Sequence, residues 1–216
     1  MSRLRVINLG LPKSGTTTLA RALKIAGLKT ADYRIRRRQT KDTGLHGAFV
    51  GKLMYDGYFH NGDPLALMED FDAFTEVNVL REGMSLWPQT DWGLIDAIRE
   101  HHPGARFLLS YRDPKAISDS MLRWSNLGAE RLPQNAIPGL PRGYGETGHE
   151  RAQWIAAHHA HMRKLFEGDE AFLEYDLADT SAPQKIGNFL GIELKWWGRA
   201  NKSPKKQPKT NGPEAA

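Results

Sequence analysis

Residues 5–26 read Arg5-Val6-Ile7-Asn8-Leu9-Gly10-Leu11-Pro12-Lys13-Ser14-Gly15-Thr16-Thr17-Thr18-Leu19-Ala20-Arg21-Ala22-Leu23-Lys24-Ile25-Ala26. The apolar run before Gly10 has strand character, and the spacing from Leu19 onward is helical. The stretch therefore predicts a strand over 4–9, a glycine-bearing loop, and a helix over 15–26. In that layout the backbone N–H groups of the loop and of the first helical turn converge on one point. The helix dipole favours an anion there.

The loop departs from the motif of nucleotide triphosphatases, G-x-x-x-x-G-K-[ST]. Gly10 and Gly15 have the right spacing, and Thr17 fills the Ser/Thr position. Thr16 stands where the lysine belongs, and the lysine is two residues before Gly15, at Lys13.

Composition bounds the rest. The chain has 216 residues, enough for one domain with a full core. A hydrophobic fraction of 40% and a charged fraction of 25% are ordinary for a globular protein. No apolar run approaches the roughly 20 residues of a membrane-spanning helix. The first five residues lead straight into the first strand, which leaves no room for a signal peptide and predicts a cytoplasmic protein. The absence of cysteine excludes disulfides, thiol nucleophiles and thiolate metal sites. A net charge of +5 suits an anionic ligand without selecting one.

Farther along, 28–33 reads as a second short strand. The run Arg34-Ile35-Arg36-Arg37-Arg38-Gln39-Thr40-Lys41 is either a solvated loop or a collar that attracts an anion. Residues 45–59 have helical spacing, 73–77 strand character, and 82–88 the look of a loop. A helix is expected over 92–101, then a nearly continuous apolar strand over 106–111. A helix follows from Lys115 to about residue 127, with Pro114 suited to its first position. Residues 128–147 are rich in Gly and Pro and suggest a functional loop or lid. A long helix over 148–167, a strand over 171–175 and a helix over 182–190 complete the pattern. The basic, Pro-rich residues 202–216 read as a partly disordered tail behind a single domain spanning 1–201. Alternating strands and helices predict an α/β three-layer sandwich around a parallel sheet. Ligands in such folds bind beyond the carboxyl ends of the strands, which draws Gly10, Glu76 and Arg112 to one crevice.

A second motif lies at Tyr111-Arg112-Asp113-Pro114-Lys115-Ala116-Ile117-Ser118-Asp119-Ser120. Arg112 follows a strand, and Ser120 falls two turns into the next helix. An arginine with a hydroxyl donor makes a good second phosphate site. Together the two motifs resemble the sulfotransferase superfamily, which has a P-loop nucleoside-triphosphate-hydrolase-like fold. Its donor is 3′-phosphoadenosine-5′-phosphosulfate (PAPS). The P-K-S-G-T-T loop, Pro12 to Thr17, is similar to the family's 5′-phosphosulfate loop. Arg112 and Ser120 have the spacing of the pair that holds the 3′-phosphate. The strand-and-helix pair around 172–177 and 186–191 is similar to the family's segment after the acceptor lid. There a tyrosine approaches the adenine, which implicates Tyr175; core packing is the other reading of that residue.

The resemblance implies sulfuryl transfer to a hydroxyl or amine on a small-molecule or glycan acceptor, without a metal. Donor contacts would come from Lys13, Ser14, Gly15, Thr16, Thr17, Thr18, Arg112, Ser120 and Tyr175. The K-T-H histidine of the cytosolic branch is absent. Glu76, within Phe74-Thr75-Glu76-Val77, best matches the glutamate base of glycosaminoglycan-modifying members, with Asp72, His60 and Asp91 as rivals. Lys13 would stabilise the leaving phosphate. The closing R-K-G loop is also missing, and Arg199 to Ser203, with Lys202, is its candidate substitute.

Two other readings stay open. A P-loop nucleotide kinase would need the missing lysine and an acidic partner for magnesium. A non-catalytic nucleotide-binding module would bind the bisphosphate product without turnover. His158 and His161 share a helix face, but no second ligand cluster accompanies them as a metal site would require. Trp124 and the pair Trp196-Trp197 could be core or could line a pocket. No nucleic-acid-binding module is recognisable, and neither the acceptor nor the oligomeric state can be read.

Overall fold

The computed structural model describes residues 3–198 and residue 200. Seven strands fall in chain order at β1 Arg5–Asn8, β2 Thr30–Ala31, β3 Ala73–Phe74, β4 Val79–Arg81, β5 Met84–Leu86, β6 Ala105–Tyr111 and β7 Phe172–Asp176. The helices are α1 Thr16–Ile25, α2 Val50–Asn61, α3 Trp92–His101, α4 Pro114–Arg123, α5 Leu132–Gln134, α6 Gly148–Leu165 and α7 Ala182–Leu190. Among the described residues, five strands form a parallel sheet in the order β2-β3-β1-β6-β7.

The strand alternation explains the layers. In β1, Val6 packs with Leu19 and Leu23 of α1 and Ile186 and Leu190 of α7. Its neighbour Ile7 faces the other way, toward Leu53 of α2, Ile95 of α3 and Met162 of α6. β6 repeats this, with Leu108 on the first face and Phe107 and Leu109 on the second. Two apolar faces need two helical layers, so the expected three-layer sandwich forms. Leu19 and Leu23 are fully buried; each such burial is worth about 1.5–3 kcal/mol.

The chain enters the sheet at β1 and moves to β2 and β3 on one side. It then crosses to β6 on the other side of β1. The direction of winding thus reverses at β1, and its carboxyl end opens into the crevice where such folds bind ligands.

Three regions differ from the sequence reading. Residues 45–59 do not form one helix: a 3₁₀ turn at Thr43–Leu45 precedes α2, which starts at Val50. Residues 82–88 are not a plain loop. β4 and β5 pair as a hairpin with Arg81 opposite Met84. Its two-residue turn has positive φ at both Glu82 (57°) and Gly83 (77°), the left-handed pair that matches strand twist.

The third is 128–147, which is a packed wall rather than a loose lid. It contains a π turn at Leu127–Arg131 and then α5. Leu132, Ile137 and Leu140 are buried with Leu11, Trp87, Ile117 and Trp154 in a separate apolar cluster. Trp154 Nε1 donates to the Pro138 carbonyl at 2.9 Å, and Arg131 donates to the Leu80 carbonyl at 2.9 Å. The Gly and Pro residues shape the turns, while the spaced leucines and Ile137 supply the anchor.

Candidate active site

The loop between β1 and α1 is packed tightly against β6 at Gly10. A Cβ on Gly10 would lie 2.0 Å from Ser110 Oγ and 2.6 Å from Ser14 Oγ. Those two hydroxyls are themselves hydrogen-bonded at 2.6 Å and fully buried. Ser14 thus ties the loop to β6. Gly15 has φ 108°, a conformation that favours glycine, and packs against Leu177. Lys13 also has positive φ, at 73°. The first turn of α1 contains no acidic side chain to compete with an anion. Thr16 and Thr17 begin the helix, Thr17 exposed and Thr16 buried.

Glu76 stands across the crevice, just past β3. Its Oε2 accepts a hydrogen bond from Thr16 Oγ1 at 3.0 Å. Burial pushes its carboxyl above the usual carboxylate range. The Thr16 hydrogen bond and the Lys13 charge oppose that rise, and Asp32 adds to it. Burial also lowers the Lys13 ammonium, with Glu76 opposing and Arg112 and Arg123 reinforcing the shift. The Lys13 Nζ sits 3.6 Å from the centre of the Trp124 ring. Arg112 donates to the Lys13 carbonyl at 3.3 Å. One crevice therefore holds Lys13, Thr16, Glu76 and Arg112, as expected from the strand ends. Arg123 joins them electrostatically, from the end of the helix that Arg112 precedes.

The other expected residues have settings of their own. Ser120 is half-buried on α4, on the opposite face from Ser118. Ser118 is occupied, donating to the Gly148 carbonyl and accepting from Arg151 Nε at 3.1 Å. Thr18 Oγ1 donates to the Gly198 carbonyl at 3.0 Å, and its N–H to the Gly15 carbonyl at 2.9 Å. Those bonds turn it toward the protein and away from the crevice. Tyr175 is 2% exposed and packs edge-to-face on Trp197 at 5.9 Å, with its hydroxyl buried. Trp196 lies under Arg21, with the guanidinium 4.4 Å from its ring. Arg199 and Lys202 lie outside the described residues, as does the boundary between the domain and its tail.

The rivals to Glu76 lie in other settings. Asp72 pairs with Arg3 at 2.7 Å and precedes β3, at the opposite end from the crevice. Asp91 caps α3 through Gly93 N and accepts from Tyr55 Oη at 3.1 Å. His60 is exposed in the last turn of α2.

Sequence reasoning weighed His158 only as a metal ligand and missed its role in the loop, where Nε2 donates to the Leu9 carbonyl at 2.8 Å. It holds the strand end from which the loop departs. Burial depresses its imidazole to about 4, which keeps the ring neutral. Asp32, Arg123 and Ser110 were also missed. Each reaches the site from a distant element, and nothing in its own neighbourhood marks it.

A glycine-bearing loop at the reversal point of a parallel sheet, faced by a carboxylate and flanked by Lys13, Arg112 and Arg123, sits in an α/β three-layer fold. A model of the sulfotransferase domain matches residues 5–134, and the chain belongs to that family. The match spans the loop, Glu76, Arg112, Ser120 and the wall around α5. A search of curated proteins found no match. Among the described residues, no helix is long and apolar enough to cross a membrane, and no three His, Asp or Glu side chains gather as metal ligands.

Proposed function

We propose that this sulfotransferase uses PAPS as donor and sulfates a hydroxyl or amine acceptor, with Glu76 as general base and Lys13 as leaving-group stabiliser. The observation that carries the reading is the opposition of Lys13 and Glu76 across one loop mouth, with Thr16 bonded to the carboxylate. The loop that Ser14 and Ser110 fix in place ends at the first turn of α1, where backbone N–H groups suit the donor's 5′-phosphosulfate. The N-terminus of α1, free of acidic side chains in its first turn, suits the charge.

In the reaction the acceptor oxygen or nitrogen forms a bond to sulfur. The bond from sulfur to the 5′-phosphate oxygen breaks, and its electron pair leaves with that oxygen. Glu76 takes the acceptor proton, and its raised proton affinity suits that task. Lys13 moves from the Trp124 face to the oxygen on which charge develops. Arg112 and Ser120 hold the 3′-phosphate.

Calorimetry with 3′,5′-bisphosphoadenosine, compared with ATP plus magnesium, tests the donor. Tighter binding of the bisphosphate is the expected result. Preference for ATP would overturn the reading in favour of a kinase. Tight bisphosphate binding with no turnover on any acceptor would favour a non-catalytic module.

A further inference from the structure

A cavity of about 630 Å³ opens among residues 32–37, His46, Gly47 and Arg81, and Glu76 adjoins its wall without lining it. That is a usual size for a small-molecule site. Arg34, Arg36, Arg37, Arg81 and His46 line it, with Asp32 as its carboxylate. The cavity touches the base through the backbone: Tyr33 N donates to the Glu76 carbonyl at 2.9 Å. Asp32, one residue earlier, is the acid that raises the Glu76 carboxyl.

The arginines are displayed on fixed backbone. Ile35 is fully buried, and the alternation of an extended chain sends Arg34 and Arg36 away from the core. Ile35 N donates to the Ala48 carbonyl, and Gly47 N donates to the Ile35 carbonyl. Tyr33 sits at φ 57°, and its carbonyl accepts from Val50 N at 2.9 Å. Arg81 comes from the β4–β5 hairpin, whose Glu82 pairs with Arg34 at 2.6 Å.

The local charge is not balanced. Asp32 already pairs with Lys24 at 2.8 Å and lies 3.6 Å from Arg36. Among the described residues, Arg37 and Arg81 enter no ion pair. The Arg34 Nε is buried without an acceptor. An anion in the cavity would give Arg37 and Arg81 the charged acceptor that no carboxylate among the described residues supplies.

We infer that this arginine-lined cavity binds the acceptor, and that the acceptor carries an anionic group, a carboxylate or a phosphate or sulfate ester, near the reacting hydroxyl or amine. The inference rests on Glu76 being the base; the cavity's preference for anions does not.

The test uses the full chain and three pyranose probes that differ only at C6: glucose, glucuronate and glucose 6-phosphate. Dissociation constants are measured by NMR titration with saturating 3′,5′-bisphosphoadenosine, and again without it. The variant is Arg37→Glu/Arg81→Glu, both residues being exposed. Arg37→Gln/Arg81→Gln is the milder control should the reversal unfold. Both anionic probes are expected to bind at least about tenfold tighter than glucose, the effect of one charge-assisted hydrogen bond. The reversal should remove most of that difference and leave bisphosphate affinity unchanged. Comparing glucuronate with glucose 6-phosphate distinguishes a carboxylate from a phosphate preference. Equal binding of glucose and the anions, no binding of either anion, or retention of the difference in both variants would overturn the inference. Failure of the bisphosphate to bind, with anion selectivity intact, would sink the donor reading and spare the cavity.

Discussion

Thr16 and Glu76 are joined by a 3.0 Å hydrogen bond that links the first residue of α1 to the end of β3. One hydroxyl thereby connects the phosphate loop to the carboxylate proposed as base. Glu76→Gln keeps the shape and removes the proton acceptor. Turnover should fall about 10²–10⁴-fold, the usual worth of a positioned base. Affinity for 3′,5′-bisphosphoadenosine, read by calorimetry, should stay within about fivefold, since Gln keeps an oxygen to accept from Thr16 and the net change is ~1 kcal/mol or less. Undiminished turnover would move the base elsewhere.

Thr16→Val tests the same bond through pH. The hydroxyl stabilises the charged carboxylate and so restrains the rise caused by burial. Without it the Glu76 pKa climbs further. The acid limb of the kcat/KM profile should move to higher pH, while the alkaline limb stays in place. An unmoved or lowered acid limb would contradict the assignment.

Gly10→Ala should destabilise the fold by about 1–3 kcal/mol, the range for overpacking a tight site. The added methyl meets Ser110 Oγ at 2.0 Å. Ser110→Ala in the same chain should recover part of the loss, because the obstructing atom is gone. Denaturant melts of the two single variants and the double variant give the coupling. Strict additivity would mean that the loop relaxes elsewhere.

His158 and His159 are both buried, and burial depresses each imidazole to about 4. Unfolding restores a value near 6.5, so the unfolded chain binds more protons below that pH. Stability should be complete above about 6.5 and decline as pH falls toward 4, by at most on the order of 3 kcal/mol per ring. His159 has no hydrogen-bond partner at either ring nitrogen and packs on Tyr111 at 5.0 Å. His159→Phe should therefore flatten the acid decline with little loss at neutral pH. A melting-temperature profile from pH 4 to 8 checks both points.

Much of this arrangement was legible in the sequence because it is local. The strand-loop-helix of residues 5–26 and the helix opened by Pro114 obey spacing rules within a few residues. The layout predicted from strand ends drew Gly10, Glu76 and Arg112 to one crevice. The β4–β5 hairpin escaped because its turn is Glu-Gly, a weaker signal than Asn-Gly. The wall at 128–147 escaped because its buried residues follow no helical or strand period. Thr18 and Ser14 belong to the motif, yet their side chains bond to Gly198 and Ser110. Which face of a loop a hydroxyl takes depends on partners about 100 or more positions away.

The loop at residues 10–18 is written near the start of the chain, but its shape depends on contacts made much later. Ser110 fixes Ser14, Leu177 packs on Gly15, and Gly198 holds Thr18. On the ribosome the loop therefore stays unfinished until residue 198 has emerged. Contacts of such long sequence separation form late and slow folding. A nascent chain stalled before residue 177 would carry the whole motif and still lack the built site.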